Sequence, residues 1–194
     1  APILKWSDPL GASGNDYDLY LLNSALTSVI LASTDIQDGN DNPVEALYYN
    51  IPAGYRIVIL QKTGAAVRAL HVNTNRGRLN FNTPGVMYGH NAAASAYTVA
   101  ASPAVSPGPY PGAFNTTNSV ETFSSDGPRR IFFNPDGTEI TPGNLLFGTD
   151  GGTLLQKPDI TAADGVATTL PGTSGLNPFY GTSAAAPHAA AIAA

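Results

Sequence analysis

The sequence predicts a chain of two parts: an antiparallel β-sandwich over residues 1–83 and a mixed part over residues 84–194 that ends in a helix. In the first part, short apolar strands alternate with clusters of Gly, Asn, Asp and Pro, a pattern typical of antiparallel sandwiches. The second part has strands of small residues, a Pro/Gly-rich loop and a closing alanine-rich run. The 20 glycines and 16 prolines agree with many turns and short strands.

The composition excludes several classes of protein. Charged residues make up 12% of the chain and the net charge is -5, so the chain has no basic footprint for a nucleic acid. The absence of cysteine excludes a disulfide scaffold and any cysteine-ligated metal. The apolar run over residues 189–194 is too short to span a membrane. We therefore expect neither a nucleic acid nor a membrane as a partner.

Strands of the first part follow from the period-two alternation of apolar residues. Over residues 17–21 this pattern places Tyr17, Leu19 and Leu21 on one face. Further strands are predicted over residues 28–32, 44–51, 55–60, 66–72 and 79–81.

The second part is predicted to contain a hairpin, a loop and a final helix. Two apolar segments, 130–134 and 138–140, flank the turn Pro135-Asp136-Gly137, which favours a hairpin. A Pro/Gly-rich loop is predicted over residues 102–112, and the helix begins near Ser183. Because the closing run has no cap or stop signal, we expect the chain to be a fragment, cut before its true start and before its true end.

Residues 179–188, Phe-Tyr-Gly-Thr-Ser-Ala-Ala-Ala-Pro-His, carry the strongest chemical signal. A nucleophilic serine needs exposure, a base and a positive group that stabilises the oxyanion. Gly181 permits a tight turn before Ser183, and the helix that follows directs its free N–H groups toward that serine. Pro187 is expected within the first turn, where a missing N–H is tolerated. Taken alone, the segment also fits an ordinary N-cap serine.

This segment resembles the nucleophile motif Gly-Thr-Ser-x-Ala-x-Pro-His of the subtilisin-like serine peptidases. Three further segments follow that family's order. Residues 94–101 resemble its strand of the type Ile-Ala-Val-Gly-Ala, residues 123–128 its Phe-Ser-Ser-x-Gly-Pro, and residues 157–166 its Lys-Pro-Asp-Val-x-Ala-Pro-Gly-Val. One position departs from the family: Asp164 stands where Pro is usual, and we expect an Asp-Gly turn along the same path.

The resemblance implies an α/β fold in which residues 84–194 form the C-terminal part of a subtilisin-like parallel-sheet domain, truncated within the nucleophile helix. It further implies a secreted, extracellular serine endopeptidase that hydrolyses protein or peptide substrates through an acyl-enzyme on Ser183. The family's catalytic Asp and His and its oxyanion Asn would lie upstream of this chain. The alternatives are a pseudoenzyme that has lost Asp or His, and an extracellular binding module.

Residues 1–83 resemble the pre-peptidase C-terminal domain. The segments that carry the likeness are residues 16–20, which resemble its Asp-Leu-Tyr signature, and residues 52–59, whose start resembles Ala-Gly-Thr-Tyr. The resemblance implies a sandwich inserted in the catalytic domain that lacks its first strand. If binding by this module dominates, Tyr20, Tyr48 or Tyr49 would line its site, although such tyrosines also pack across strands.

None of the three histidines is predicted to be the catalytic base. His188 lies five residues after Ser183, which at about 100° per residue turns its side chain away from the serine, so we expect it to be buried and structural. His71 is expected to be a core or surface residue of a strand. His90 is expected to have a structural hydrogen-bonding role, in a segment that leads toward the substrate cleft in the family.

An acidic cluster raises the question of structural calcium. Its members do not fit EF-hand spacing, because positions one and three would be Thr34 and Ile36. A calcium site of another type is an alternative there or at Asp8, Asp16 and Asp18, and a solvated, turn-forming loop is the favoured interpretation. The residues of the cluster are Asp35, Asp38, Asn40, Asp41 and Glu45.

Overall fold

The computed structural model describes residues 1–75, 77–104 and 118–194. Most of the loop predicted over residues 102–112 lies outside the described residues. The α-helix α1 spans Thr182–Ala193, and short 3₁₀ helices span Gly89–Ala92 and Gly172–Ser174. The strands are β1 (Ile3–Trp6), β2 (Tyr17–Leu22), β3 (Val29–Ser33), β4 (Val44–Ala46), β5 (Arg56–Gln61), β6 (Leu70–Asn73), β7 (Val99–Pro103), β8 (Arg129–Ile131), β9 (Thr153–Leu155) and β10 (Ile160–Asp164).

The described chain divides into two compact units. The first unit contains residues 1–83 together with residues 130–153, and the second contains residues 84–129 and 154–194. The boundary between residues 83 and 84 is also the one that the change in sequence pattern suggested. The inclusion of residues 130–153 in the first unit had no counterpart in the sequence patterns, and the two-domain division itself stays a prediction.

The first unit is built on two three-stranded antiparallel sheets, ordered β4-β1-β6 and β3-β2-β5. Both sheets contribute to one hydrophobic core. The predicted alternation of β2 is confirmed, because Tyr17, Leu19 and Leu21 are all buried in that core. They meet Leu4 and Trp6 of β1, and the rings of Trp6 and Tyr17 lie 5.2 Å apart between their centres. Burial of these apolar side chains is the main source of stability in this unit.

Three predicted strands of the first part differ from the structure. The strand predicted over residues 66–72 begins only at Leu70. Residues 79–81 form no strand, and Phe81 is 91% exposed, so apolar composition alone did not give this segment a pairing partner. The strand predicted over residues 44–51 ends at Ala46. Beyond it, the Leu47 N–H donates to the Pro2 carbonyl. The Leu47 side chain is buried, and the Tyr48 side chain is exposed.

The hairpin predicted around Pro135-Asp136-Gly137 is confirmed. Phe133 and Glu139 form an antiparallel bridge, and the Asn134 N–H donates to the Thr138 carbonyl at 2.8 Å. The Asp136 carboxylate accepts hydrogen bonds from the backbone N–H and hydroxyl of Thr138, as expected of an Asp in a turn. These hydrogen bonds also hold the pKa of Asp136 below its ordinary value, the hydroxyl bond having the larger effect.

The second unit contains a parallel strand pair and the helix. Strands β7 and β10 run in parallel, with Val99 opposite Ile160 and Pro103 opposite Asp164. Helix α1 packs on both strands. Both elements carry small buried residues, Ala100 and Ala101 on β7 and Ala184 and Ala185 on α1. This arrangement of parallel strands under a helix agrees with the predicted α/β class.

Candidate functional site

Helix α1 begins directly after a glycine with a backbone conformation that other residues rarely adopt. Gly181 has φ 130° and ψ 158°, and its carbonyl accepts the N–H groups of Ala184 and Ala185. The N–H groups of Thr182 and Ser183, like others in the first turn of a helix, have no acceptor in the described part of the chain. Ser183 is exposed, in the second position of the helix. The turn thus presents a hydroxyl beside unpaired donors and the positive end of a helix dipole.

The turn before Ser183 is held against the end of β10. Asp164, the last residue of β10, accepts a hydrogen bond from the Gly181 N–H through Oδ2 at 2.8 Å. Beside it, Val166 and Phe179 form an antiparallel bridge with hydrogen bonds of 3.2 and 2.8 Å. These contacts close the loop over residues 165–180 at its base, so the loop returns the chain to the strand end from which it started.

Gly165, directly after Asp164, forms a bend where space for a side chain is small. Gly165 has φ 62°, and a Cβ atom at this position would lie 2.8 Å from Cε1 of Tyr180. A larger residue would therefore displace the tyrosine ring that precedes Gly181. At the expected Asp-Gly turn the chain forms a bend at Gly165, close to the ring of Tyr180.

The segment Lys157-Pro158-Asp159 joins the starts of β7 and β10. Lys157 is buried and its Nζ donates to the Ala96 carbonyl at 2.5 Å and to Asp159 Oδ2 at 2.7 Å. The same Asp159 oxygen accepts the Thr98 N–H at 2.6 Å. The hydrogen bond from Lys157, followed by that from Thr98, holds the pKa of Asp159 below its ordinary value. These residues fix the two strands relative to each other.

Residues 123–128 pack beside the same strands. The Ser124 hydroxyl accepts the Ala101 N–H at 3.0 Å, and Asp126 Oδ1 accepts the N–H groups of Gly85 and Val86. A Cβ atom on Gly127 would overlap the carbonyl oxygen of Lys157. The segments singled out in the sequence are thus brought together around β7, β10 and α1.

A family model described as the subtilase family matches residues 12–194. The chain belongs to the subtilase family. This confirms the family predicted from the ordered motifs, and membership of this family indicates a serine peptidase type of function. No curated protein and no solved structure gives a significant match.

Two details of helix α1 in this subtilase differ from expectation. Pro187 is the sixth residue of α1 and so lies beyond its first turn. Because proline has no N–H, the Ser183 carbonyl loses the donor that an α-helix would supply from four residues on. His188 is exposed, not buried. Its Nδ1 lies 2.8 Å from the Ala184 carbonyl oxygen, while the buried face of the helix is formed by alanines.

The other histidines occupy structural positions. His71 is on β6, opposite Lys5 of β1. His90 lies in the 3₁₀ helix over Gly89–Ala92, where its carbonyl accepts the Ala93 N–H. Within the described part of the second unit, no hydrogen bond joins the Ser183 hydroxyl to His90 or His188.

Of the three carboxylates near the first two strands considered for calcium, Asp8 and Asp18 are engaged by protein groups, whereas Asp16 Oδ1 is buried without a hydrogen-bond partner among the described residues. Asp8 pairs with Arg68 Nε at 2.5 Å and accepts hydrogen bonds from Ser13 and Asn15. Burial raises the pKa of Asp8, but these hydrogen bonds outweigh the effect and hold the pKa below 3.8. Asp18 pairs with Lys62 at 3.2 Å.

Glu45, the last residue of the acidic cluster, is also engaged by protein groups. Glu45 is buried and accepts hydrogen bonds from Ser33 and Gln37. Burial raises the pKa of Glu45 above its ordinary value. Over the described ranges, no group of three or more His, Asp or Glu residues could hold a metal ion.

The three tyrosines considered for a binding surface separate into two kinds. The Tyr20 hydroxyl donates to Asp18 at 2.8 Å, so this ring is tied to its own strand. Tyr48 is 84% exposed and Tyr49 is 43% exposed.

Among the described helices, none is both long and apolar enough to cross a membrane.

Sequence reasoning missed the side-chain role of Asp164. The position was interpreted as a turn residue, whereas the structure buries its carboxylate completely. The signal was present in the pattern: residues 160–163 form an apolar strand that ends in an acidic residue, and such strand ends carry functional groups in parallel sheets.

Proposed function

We propose that this chain is part of a secreted subtilisin-like serine endopeptidase that hydrolyses peptide bonds through an acyl-enzyme on Ser183. The observation that carries the proposal is the position of Ser183. Its hydroxyl is exposed in the second position of α1, directly after Gly181 and beside unpaired N–H groups. An exposed hydroxyl next to preorganised donors suits attack on a carbonyl and stabilisation of the oxyanion that forms.

In this proposal, Ser183 Oγ attacks the carbonyl carbon of the scissile peptide bond. A histidine takes the hydroxyl proton and later gives it to the leaving amine, and an aspartate orients that histidine. The Ser183 N–H and an asparagine side chain stabilise the oxyanion of the tetrahedral intermediate. Water then attacks the carbonyl carbon of the acyl-enzyme while the histidine takes its proton. The histidine returns that proton to Ser183 Oγ as the ester bond breaks.

The proposed base is not one of the three histidines in the chain. His188 lies on the same helix and its ring nitrogen is engaged at the Ala184 carbonyl, and His90 belongs to a 3₁₀ turn. We infer that the Asp, His and Asn come from upstream parts of the same protein, as the order of the family's motifs requires. The chain would then supply the nucleophile and one oxyanion donor.

Residues 1–83 are proposed to be a sandwich inserted in the catalytic domain. Two antiparallel three-stranded sheets that share one core support this proposal. The module and the peptidase type together favour an extracellular protein with protein or peptide substrates. The exposed Tyr48 supports the alternative, a binding module carried by an inactive subtilase.

Labelling by a peptide phosphonate separates these functions. In the full-length protein, we expect stoichiometric labelling at Ser183, located by mass spectrometry, and no labelling of Ser183→Ala. A full-length protein that folds but neither labels nor cleaves a casein substrate would instead support the inactive binding module. The 194-residue chain alone is expected not to react, because triad members act as a unit.

A further inference from the structure

We propose that Asp164 is a positioning residue for Ser183: its carboxylate fixes the Gly181 peptide and thereby the direction of the nucleophile's hydroxyl. This inference rests on the proposed peptidase function. Asp164 does not contact the hydroxyl itself. It acts through the backbone, one residue before the helix that carries Ser183.

The geometry links a rigid element to the nucleophile turn. Asp164 ends β10, where it lies opposite Pro103 of β7, and α1 packs on both strands. From that position, Oδ2 accepts the Gly181 N–H at 2.8 Å. A buried N–H that keeps its acceptor avoids the cost of an unsatisfied donor. Glycine can adopt many backbone conformations, and the bond therefore helps to hold Gly181 at its φ of 130°.

Local stability alone does not explain an aspartate at this position. Asp164 is fully buried, and its Oδ1 has no hydrogen-bond partner among the described residues. A buried carboxylate oxygen without a partner is costly. Reversal of the chain does not require it, since the subtilisin-like pattern has Pro here. Among the described residues, the side-chain hydrogen bond that the carboxylate accepts is the one from the Gly181 N–H.

A second carboxyl group lies near the first. Burial raises the pKa of Glu121, and the negative charge of Asp164 raises it further. Glu121 also donates its backbone N–H to the Ala101 carbonyl of β7 at 2.8 Å. The acceptor of the Gly181 N–H thus lies near a second acidic side chain.

Two substitutions of similar size distinguish anchoring from packing. Asp164→Asn retains an oxygen that can accept the Gly181 N–H, whereas Asp164→Leu fills the space without an acceptor. In the full-length enzyme, we expect Asp164→Leu to lower kcat about 10- to 100-fold, because small misplacements of reacting groups have effects of this size. KM should change much less, and Asp164→Asn should recover most of kcat. Equal kcat for Asp164→Leu and wild type would overturn the proposal, as would equal losses in both variants.

Hydrogen exchange at the Gly181 amide provides a readout that does not depend on activity. In the full-length protein, exchange at Gly181 should be about tenfold faster or more in Asp164→Leu than in Asp164→Asn, because only the latter keeps an acceptor. Equal exchange in the two variants would reject the anchor. If the wild-type full-length protein is not labelled at Ser183, the proposed peptidase function is wrong. The exchange result still tests whether Asp164 holds the Gly181 amide. Melting temperatures of both variants identify any loss of folding.

Discussion

Gly127 packs so closely against the carbonyl oxygen of Lys157 that a Cβ atom at this position would overlap it. The contact joins two segments that the sequence marked separately, residues 123–128 and residues 157–166. Because the obstructing atom belongs to the backbone, a side-chain rotation cannot relieve the overlap.

We expect Gly127→Ala to destabilise the second unit by about 1–3 kcal/mol, the range typical of overpacking. Gly148→Ala is the matched control, since a Cβ atom at Gly148 meets nothing within 4 Å. Urea unfolding of both variants measures the difference. Equal stability of the two variants would contradict the contact.

Ser183→Ala should lower the turnover of the full-length protein by about 10⁴-fold or more, with little change in substrate affinity. The reason is that the hydroxyl acts in bond making and contributes little to ground-state recognition. His188→Ala should keep turnover near wild type, because His188 is exposed and directed at its own helix. Steady-state kinetics on a peptide substrate check both variants, and a large loss in His188→Ala alone would reverse the assignment.

Removal of either partner of the Lys157–Asp159 pair should have unequal effects. Lys157→Met leaves a partly exposed carboxylate that still accepts the Thr98 N–H, and we expect a loss of about 1–3 kcal/mol. Asp159→Asn leaves a buried ammonium group with the Ala96 carbonyl as its acceptor and should cost more. Urea unfolding of both single variants and the double variant gives the coupling energy. A coupling near zero would show that the pair is unimportant.

Asp8 should make the first unit sensitive to acid. Its folded-state pKa is lower than 3.8, so the ionised form favours the folded chain. The stabilisation is fully present above about pH 5 and is lost as the pH falls below 3.8 through the folded-state pKa. Asp8→Asn should therefore be about 1–3 kcal/mol less stable than wild type at pH 7, and the difference should shrink toward pH 3. Denaturant midpoints at both pH values test this, and a constant difference would contradict it.

Leu145 tests whether residues 130–153 fold with residues 1–83. Its carbonyl accepts the Ser7 hydroxyl at 2.6 Å and the Ala69 N–H at 3.2 Å, and its side chain is buried with Ala69 and Phe132. Leu145→Ala should cost about 2–5 kcal/mol, as for other buried leucines. Hydrogen exchange should rise in β1 and β6 more than in β7 and β10. Faster exchange confined to β7 and β10 would place residues 130–153 with the second unit.

Prediction from sequence worked best where the responsible residues are neighbours along the chain. The alternation of Tyr17, Leu19 and Leu21 predicted a buried strand face, and the Pro135-Asp136-Gly137 turn predicted a hairpin. It was less successful where apolar residues lacked a partner, as at Phe81, because composition does not specify what a strand pairs with.

The sequence by itself determined the family, the Gly-Thr-Ser turn and the helix that follows it, because turn chemistry and small-residue patterns are local properties. Only the tertiary structure decided that Asp164 holds Gly181, that Lys157 reaches Ala96 and that Leu145 joins the first unit. These contacts join residues that are distant in sequence. They exist because β7 and β10 lie side by side and Leu145 returns to Ser7 and Ala69, and no local preference of the chain specifies which distant groups then meet.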